Sequence, residues 1–285
     1  MSASQLTPFL ASLHKHSFGT DVRLLVRHQD IKKLTSLKQR YPSVSFQPTL
    51  SRFPRSKLGR DFLVKLLQKV KRLGFTYNSD TAQCLSALTI HIALRRYLIA
   101  ERILNQHKNP TDMVMLADSR DIVFQGNPFT EKCNSIVCGL ESKTISECPS
   151  NSSWIRNLYG LDIHSQLSGK PIACSGLTVG PLLEIKTYLK KMNQEIWLNA
   201  EKIAFECGYD QGIHNYLINS DHGALSMRVT GNSDGFIATL GHEDPDNISI
   251  NPSTKAIEVC GTPPAIVHQY DRHLHLQTHV SMNYQ

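Results

Sequence analysis

Long apolar runs are absent from this sequence, and several diagnostic motifs are absent with them. No stretch approaches the roughly 18 consecutive apolar residues that mark a transmembrane helix. The seven cysteines are odd in number and form no C-x-x-C pair, which argues against both a zinc module and a disulfide scaffold. The G-x-G-x-x-G, H-E-x-x-H and G-x-S-x-G signatures are also missing. The sequence therefore gives no sign of a dinucleotide-binding fingerprint, a zinc protease or an α/β-hydrolase nucleophile.

The N-terminal residues lack the basic leader and apolar stretch of a signal peptide. We therefore expect a cytoplasmic protein, although a Golgi-lumen protein trimmed of its anchor would have the same sequence. Aromatic residues make up only 7% of the chain and are not interleaved with the basic ones. Because single-stranded nucleic acid is bound by such interleaved residues, we expect no nucleic-acid partner.

The composition is that of a folded protein with a basic surface. Of the 285 residues, 40% are hydrophobic and 19% are charged, which argues against intrinsic disorder. The net charge of +7 favours anionic partners such as nucleotides, phosphates or an acidic membrane face. We expect a single domain over residues 1–285, because no linker interrupts the chain, and a peripheral membrane contact stays open.

Strand-like and helical patterns alternate along the chain. The candidate strands are Val22–Val26, Val44–Phe46, the apolar run that ends at Asp118, Ser135–Leu140, Ile172–Val179 and Ala265–His268. One long helix is predicted from Ser79 or Asp80 to about His107. A basic amphipathic helix is predicted over Asp61–Leu73, with its lysines forming a solvated face. The alternation predicts an α/β fold with a mostly parallel central sheet flanked by helices, in which ligands bind at the carboxyl ends of the strands.

Two carboxylates and an arginine follow the apolar strand that ends at Asp118. Asp118 and Asp121 form an Asp-x-x-Asp pattern, and Arg120 lies between them in the sequence. Such a pair suits a hard divalent cation that also holds a diphosphate, and the arginine could clamp phosphate oxygens. A surface Arg–Asp pair in a turn explains these residues equally well. On a strand the two acids would point to opposite faces, so they converge only where the chain turns.

Three later segments carry candidate site residues. Cys174-Ser175-Gly176 places small residues inside an apolar strand, which permits close approach of a ligand or marks a simple bulge. Asp210 and Gln211 open a helix, with Asn215 one turn later, as a cap or as polar groups facing a sugar. His268 ends a short strand and is a third metal ligand or a structural histidine.

The order of these motifs resembles that of the GT-A glycosyltransferases, and most of all their glycogenin-like, retaining branch or a related group. The matching stretches are Asp118–Asp121, Cys174–Gly176, Asp210–Asn215 and His268. The resemblance covers roughly residues 79–273. It implies a GT-A-like, Rossmann-like domain that moves a hexose or pentose from a nucleotide-diphosphate sugar to a hydroxyl of a glycan, lipid or protein.

The resemblance also implies roles for individual residues. Asp118 would contact the nucleotide ribose or the metal, and Asp121 and His268 would bind Mn²⁺ or Mg²⁺. Ser175 and Gly176 would face the donor sugar. Asp210 and Gln211 would lie near the anomeric carbon as catalytic residues. Arg120 and Arg96 would contact the donor.

Three features depart from the family pattern. Arg120 stands where the second acid of an Asp-x-Asp motif is usual, and Cys174 replaces the usual Asn. The family domain opens with a strand that holds the nucleotide base, whereas this sequence starts at the following helix. The first strand would thus be missing, truncated or supplied by another segment. A Mg²⁺-dependent nucleotidyl- or phosphotransferase and a non-catalytic basic module derived from a transferase stay open as alternatives.

Overall fold

The computed structural model describes residues 2–17, 19–49, 56–129, 134–220, 225 and 227–284. The α-helices in these residues are α1 (Ala3–His16), α2 (Thr35–Arg40), α3 (Lys57–Arg72), α4 (Asp80–Thr89), α5 (Ile92–Leu104), α6 (Pro149–Leu167), α7 (Leu182–Leu198), α8 (Tyr209–Asn219) and α9 (Leu274–Asn283). Within the same residues, no helix is long and apolar enough to span a bilayer.

The strands alternate with these helices over most of the chain. They are β1 (Val22–Arg27), β2 (Val44–Thr49), β3 (Met113–Ala117), β4 (Ile122–Phe124), β5 (Ile136–Thr144), β6 (Pro171–Pro181), β7 (Met227–Thr230), β8 (Ile237–Thr239), β9 (Ile248–Ile250), β10 (Ile257–Val259) and β11 (Ile266–His268). The predicted α/β class is confirmed.

The main sheet has the strand order β3-β6-β5-β7 and is mixed. Strand β6 runs antiparallel to both β3 and β5, while β5 and β7 are parallel. The expectation of a mostly parallel sheet is therefore wrong in this detail. Alternation of strands and helices reports the order of elements but not the direction of each strand, and the long helix α6 connects two antiparallel strands here.

The described residues form three smaller sheets besides the main one, and one of these is the antiparallel pair of β9 and β10. Strand β11 pairs antiparallel with β4 and parallel with β8, so three short segments distant in sequence form one sheet. Strands β1 and β2 form a parallel pair of their own. The register of the small sheet sets His268 opposite Ile122, the residue after Asp121, and thereby brings the late histidine to the early carboxylates.

Successive residues of the central strands pack on opposite sides of the main sheet. Ile136 and Val114 contact the apolar cluster formed with α5 and α7, whereas Val137 and Met115 contact the cluster formed with α1 and β1. This period of two explains why the central strands are apolar at every position. Both layers bury their apolar surface, and the candidate site forms at the end of β3, beside Ser175 and Gly176 in the middle of β6.

The long helix predicted up to His107 is two helices. Helix α4 ends at Thr89, Ile90 is extended, and the Nδ1 atom of His91 accepts a hydrogen bond of 3.3 Å from the Ala93 backbone N–H at the start of α5. The break redirects the chain, so α5 packs against α7 and presents Arg96 toward the end of β3.

Candidate functional site

The chain turns directly after β3, and this turn brings the two acids together. The Asp118 N–H donates to the Gly176 carbonyl at 2.7 Å, and the Gln269 N–H donates to the Asp121 carbonyl at 2.7 Å. The Tyr270 hydroxyl donates to the Arg120 carbonyl at 3.2 Å. Two backbone hydrogen bonds and one from the Tyr270 hydroxyl thus hold the turn at three points. The chain therefore turns between Asp118 and Asp121, as their convergence requires.

Asp118, Asp121 and His268 form a cluster whose potential ligand atoms all lie within 4.8 Å of one another. The Nε2 atom of His268 is 3.7 Å from Oδ1 of Asp121, and the histidine is only 1% exposed. Within the described part of the chain, neither of these two buried atoms has a hydrogen-bond partner. Buried polar atoms are rarely left unpaired, so these two atoms are suited to bind a cation.

The electrostatics of the cluster favour a positive ligand. Burial raises the pKa of Asp121; the nearby His268 opposes this rise and the Asp118 carboxylate adds to it. On its other side, the His268 ring approaches the Cys174 sulfur, with 3.6 Å between Nδ1 and Sγ. Two carboxylates and an imidazole are a ligand set that Mn²⁺ and Mg²⁺ accept.

Gly176 leaves the space that the cluster needs. A Cβ atom at this position would lie 2.5 Å from Cε1 and 2.9 Å from Nε2 of His268, and 2.9 Å from Oδ2 of Asp118. Any other residue would therefore fill the volume between two of the predicted ligands. Ser175, the neighbouring predicted residue, is 7% exposed and contributes its backbone carbonyl to the site.

Arg96 connects the acidic cluster with helix α8. Its guanidinium donates to Asp118 Oδ1, to Asp210 Oδ2 at 2.9 Å and to the Ser175 carbonyl at 3.1 Å. It also donates to the Tyr97 hydroxyl at 3.0 Å. Burial raises the pKa of Tyr97 to about 12, so the phenol stays protonated. Arg96 thus compensates two carboxylates that lie on different elements.

Asp210 and Gln211 lie in the first turn of α8. Gly208 precedes the helix as its N-cap, is left-handed with φ of 89° and packs against the Trp154 ring. The Gln211 Nε2 donates to Glu141 Oε1 at 2.9 Å, and the other Glu141 oxygen lies 2.8 Å from Nδ1 of His242. A carboxylate only accepts, so the Gln211 amide nitrogen must face Glu141 and its oxygen is directed away.

Asn215 does not take the position that the sequence suggested. The Asn215 amide accepts from the Ala173 N–H at 2.8 Å and donates to the Ala173 carbonyl at 2.9 Å. It clamps β6 to α8 and is fully buried, so it offers no group to a sugar. The Arg120 side chain is exposed at the wall of the cavity, and its backbone carbonyl is the atom that the fold holds.

The cluster of Asp118, Asp121 and His268 lies at one end of a cavity of about 920 Å³. The cavity extends from the acidic cluster between β1, β3 and α5, and its polar end contains Asp118, Asp121, His268, Arg96, Asp210 and Gln211. This volume is in the range of sites that bind cofactors and other small ligands. The sequence analysis missed Glu141 and Tyr97; Glu141 directly follows a predicted strand, as Asp118 does, and the same argument could have found it.

Comparisons with known proteins show a similarity of fold to solved structures. No protein-family model and no curated protein matches the chain. A structure of the galactosyltransferase LgtC in complex with donor and acceptor sugar analogs is 14% identical, with a TM-score of 0.47, and the match covers 99% of this chain and 92% of that one. An active-site mutant of LgtC is 12% identical, with a TM-score of 0.50, and the match covers 98% and 91%.

The likeness to the LgtC mutant is a likeness of fold, since the identity is low. It covers nearly the whole of both chains. The glycogenin-like branch and the single-domain organisation stay predictions. The chain has the GT-A fold.

Proposed function

We propose that this protein is a metal-dependent glycosyltransferase that uses a nucleotide-diphosphate sugar as donor. The observation that carries the proposal is the cluster of Asp118, Asp121 and His268 at one end of a deep cavity. The GT-A fold supports the same reading, and so does the site at the edge of the sheet where β3 and β6 meet. The transferred group is a hexose or a pentose, and the acceptor is a hydroxyl of a glycan, lipid or protein.

The residues present fit a divalent cation. The unpaired Asp121 and His268 atoms and the space beside Gly176 support a ligand set of Asp118, Asp121 and His268 for Mn²⁺ or Mg²⁺. When bound, the cation would supply the positive charge that neutralises the diphosphate leaving group. Arg120, exposed at the cavity wall, would add a second positive charge to the phosphate oxygens.

Helix α8 and its partners would position the sugar. The Gln211 amide is fixed through its nitrogen by Glu141, which leaves its carbonyl oxygen available to the donor sugar or the acceptor hydroxyl. Asp210 is 6% exposed and held by Arg96, so its orientation is set before any ligand binds. Fixing both groups in advance lowers the entropic cost of bringing donor and acceptor together.

The test supplies the chain with Mn²⁺ and a panel of nucleotide sugars and nucleoside triphosphates, and identifies the products. We expect release of a free nucleoside diphosphate from a nucleotide sugar, and a loss of this activity of about 100-fold or more in Asp118→Asn and Asp121→Asn. Asp271→Asn removes a neighbouring carboxylate outside the cluster and should keep the activity.

Other products would assign another function. Release of pyrophosphate from a nucleoside triphosphate would identify a nucleotidyltransferase that uses the same carboxylates. No turnover, combined with no thermal stabilisation by any nucleotide in Mn²⁺, would indicate a non-catalytic basic module. Full activity of Asp121→Asn would contradict its role in metal binding.

A further inference from the structure

Helix α3 exposes large apolar side chains on a surface that the site does not use. Leu58 is 82% exposed and Phe62 is 65% exposed, and Leu66 follows at 37%. These residues are four apart, so they form one stripe along the helix. Leu73 and Phe75, 66% and 40% exposed, continue the apolar surface past the end of the helix. A contiguous stripe of this kind marks an interaction surface rather than scattered apolar residues.

A different face of α3 packs against the body of the protein. Leu67 and Val70 are buried, and Leu63 packs against the same apolar cluster. Lys71 also belongs to this side: its Nζ donates to the Leu198 carbonyl at 3.0 Å and lies 5.6 Å from the centre of the Trp197 ring. The exposed stripe is therefore a second apolar face that folding of the described residues leaves uncovered.

A basic stripe runs beside the apolar one. Lys65, Lys69 and Arg72 are spaced by four and three residues and are all exposed. Across Lys57–Arg72 the sequence has six cations and one acid, Asp61. Lys65 and Lys69, predicted as part of a solvated face, thus lie along a row of exposed leucine and phenylalanine. This adjacency distinguishes the surface from ordinary charged helix faces.

We infer that this face of α3 binds the surface of a phospholipid membrane that contains anionic headgroups. Cationic side chains are attracted to anionic lipid headgroups, and exposed Leu and Phe side chains enter the boundary between headgroups and acyl chains. A helix of 16 residues is about 24 Å long and lies in the plane of this boundary rather than crossing it. The inference does not depend on the proposed function.

The test mixes the full chain with vesicles and measures the fraction that sediments with them. We expect binding to vesicles of phosphatidylserine and phosphatidylcholine, weak binding to phosphatidylcholine alone, and a loss of binding at high salt. The double variants Leu58→Ser/Phe62→Ser and Lys65→Gln/Lys69→Gln should each bind about tenfold or more weakly. Circular dichroism and thermal unfolding would check that these exposed substitutions leave the fold intact.

A matched control removes exposed apolar residues elsewhere. Leu161 and Leu274 are 67% and 77% exposed and lie on α6 and at the start of α9. The double variant Leu161→Ser/Leu274→Ser should bind vesicles as the unaltered chain does. Sedimentation of the α3 variants at the unaltered level would overturn the inference. Absence of binding to the anionic vesicles would also overturn it, as would a dimer of the unaltered chain that the α3 variants convert to monomer without any vesicle binding.

Discussion

The guanidinium of Arg96 donates a 2.9 Å hydrogen bond to the carboxylate of Asp210, which lies 114 residues later in the chain. The same group also bonds Asp118, so one cation ties the end of β3 to the start of α8. Asp210 is 6% exposed, and its carboxylate forms an ion pair with Arg96. Arg96 therefore organises the polar end of the cavity before any ligand is bound.

Replacing Arg96 by methionine should destabilise the protein by about 3 kcal/mol, because it leaves the buried Asp210 carboxylate uncompensated. Urea unfolding would measure the loss. The double variant Arg96→Met/Asp210→Asn should recover a large part of it, since the charge that lacked a partner is removed. Equal stability of the single and double variants would argue against the pairing.

Gly176→Ala should abolish stabilisation by Mn²⁺ while keeping the fold, because the added methyl group occupies the space beside His268 and Asp118. A thermal-shift titration with Mn²⁺ would measure this. Gly169→Ala is the matched control, since a Cβ at Gly169 meets nothing within 4 Å. The two variants should differ in their response to Mn²⁺, and identical responses would remove Gly176 from the site.

Two left-handed glycines separate backbone strain from steric overlap. Gly160 has φ of 86° and open space around its Cβ position, whereas a Cβ at Gly208 would overlap the Trp154 ring. Gly160 also has ψ of 179°, a conformation that is almost restricted to glycine, so Gly160→Ala should cost about 1–3 kcal/mol of stability through strain alone. Gly208→Ala should cost clearly more and should also lower activity, because it displaces the start of α8 and with it Asp210. Chemical unfolding and the donor assay would measure the two effects, and equal costs for both would contradict the overlap.

His214 should make stability depend on pH. Burial, together with a smaller effect of the positive Arg96, lowers its pKa to about 3. The unfolded chain binds a proton near its ordinary pKa of 6.5 while the folded chain does not, so stability is lost as the pH falls from about 6.5 toward about 3.

His214→Asn tests this pH dependence, since asparagine can keep the hydrogen bond to Tyr188 without titrating. The variant should be less stable than the unaltered chain at pH 7. The difference in the free energy of unfolding should shrink by about 2 kcal/mol at pH 5, from 1.36 kcal/mol for each pH unit below the ordinary pKa. A difference that does not change with pH would show that His214 is not buried in its neutral form.

The cluster of Asp118, Asp121 and His268 could be predicted because two of its residues lie at the ends of apolar strands. Asp118 follows one apolar run, and His268 ends another. The chain turns after Ala117, and this turn brings Asp121 to the side of Asp118, which a straight strand could not do. Gly176 was found in the same way, as a small residue within an apolar strand. These signals are local in sequence, although the residues they mark are distant from one another.

Other features could not be predicted because they depend on packing. The break between α4 and α5 at Ile90 interrupts a continuous helical pattern, and it decides where Arg96 points. The direction of β6 leaves no trace in its apolar sequence. Asn215 matched a motif, yet its amide is used entirely by Gln211 and the Ala173 backbone.

The central claim is that Asp118, Asp121 and His268 bind one divalent cation. Titration with Mn²⁺, followed by the electron paramagnetic resonance signal of the free ion, measures this directly for the unaltered chain, Asp121→Asn and Asp271→Asn. The account predicts one bound Mn²⁺ in the unaltered chain and in Asp271→Asn, and a large loss of affinity in Asp121→Asn. Mn²⁺ binding that Asp121→Asn leaves unchanged, or no binding to the unaltered chain, would contradict it.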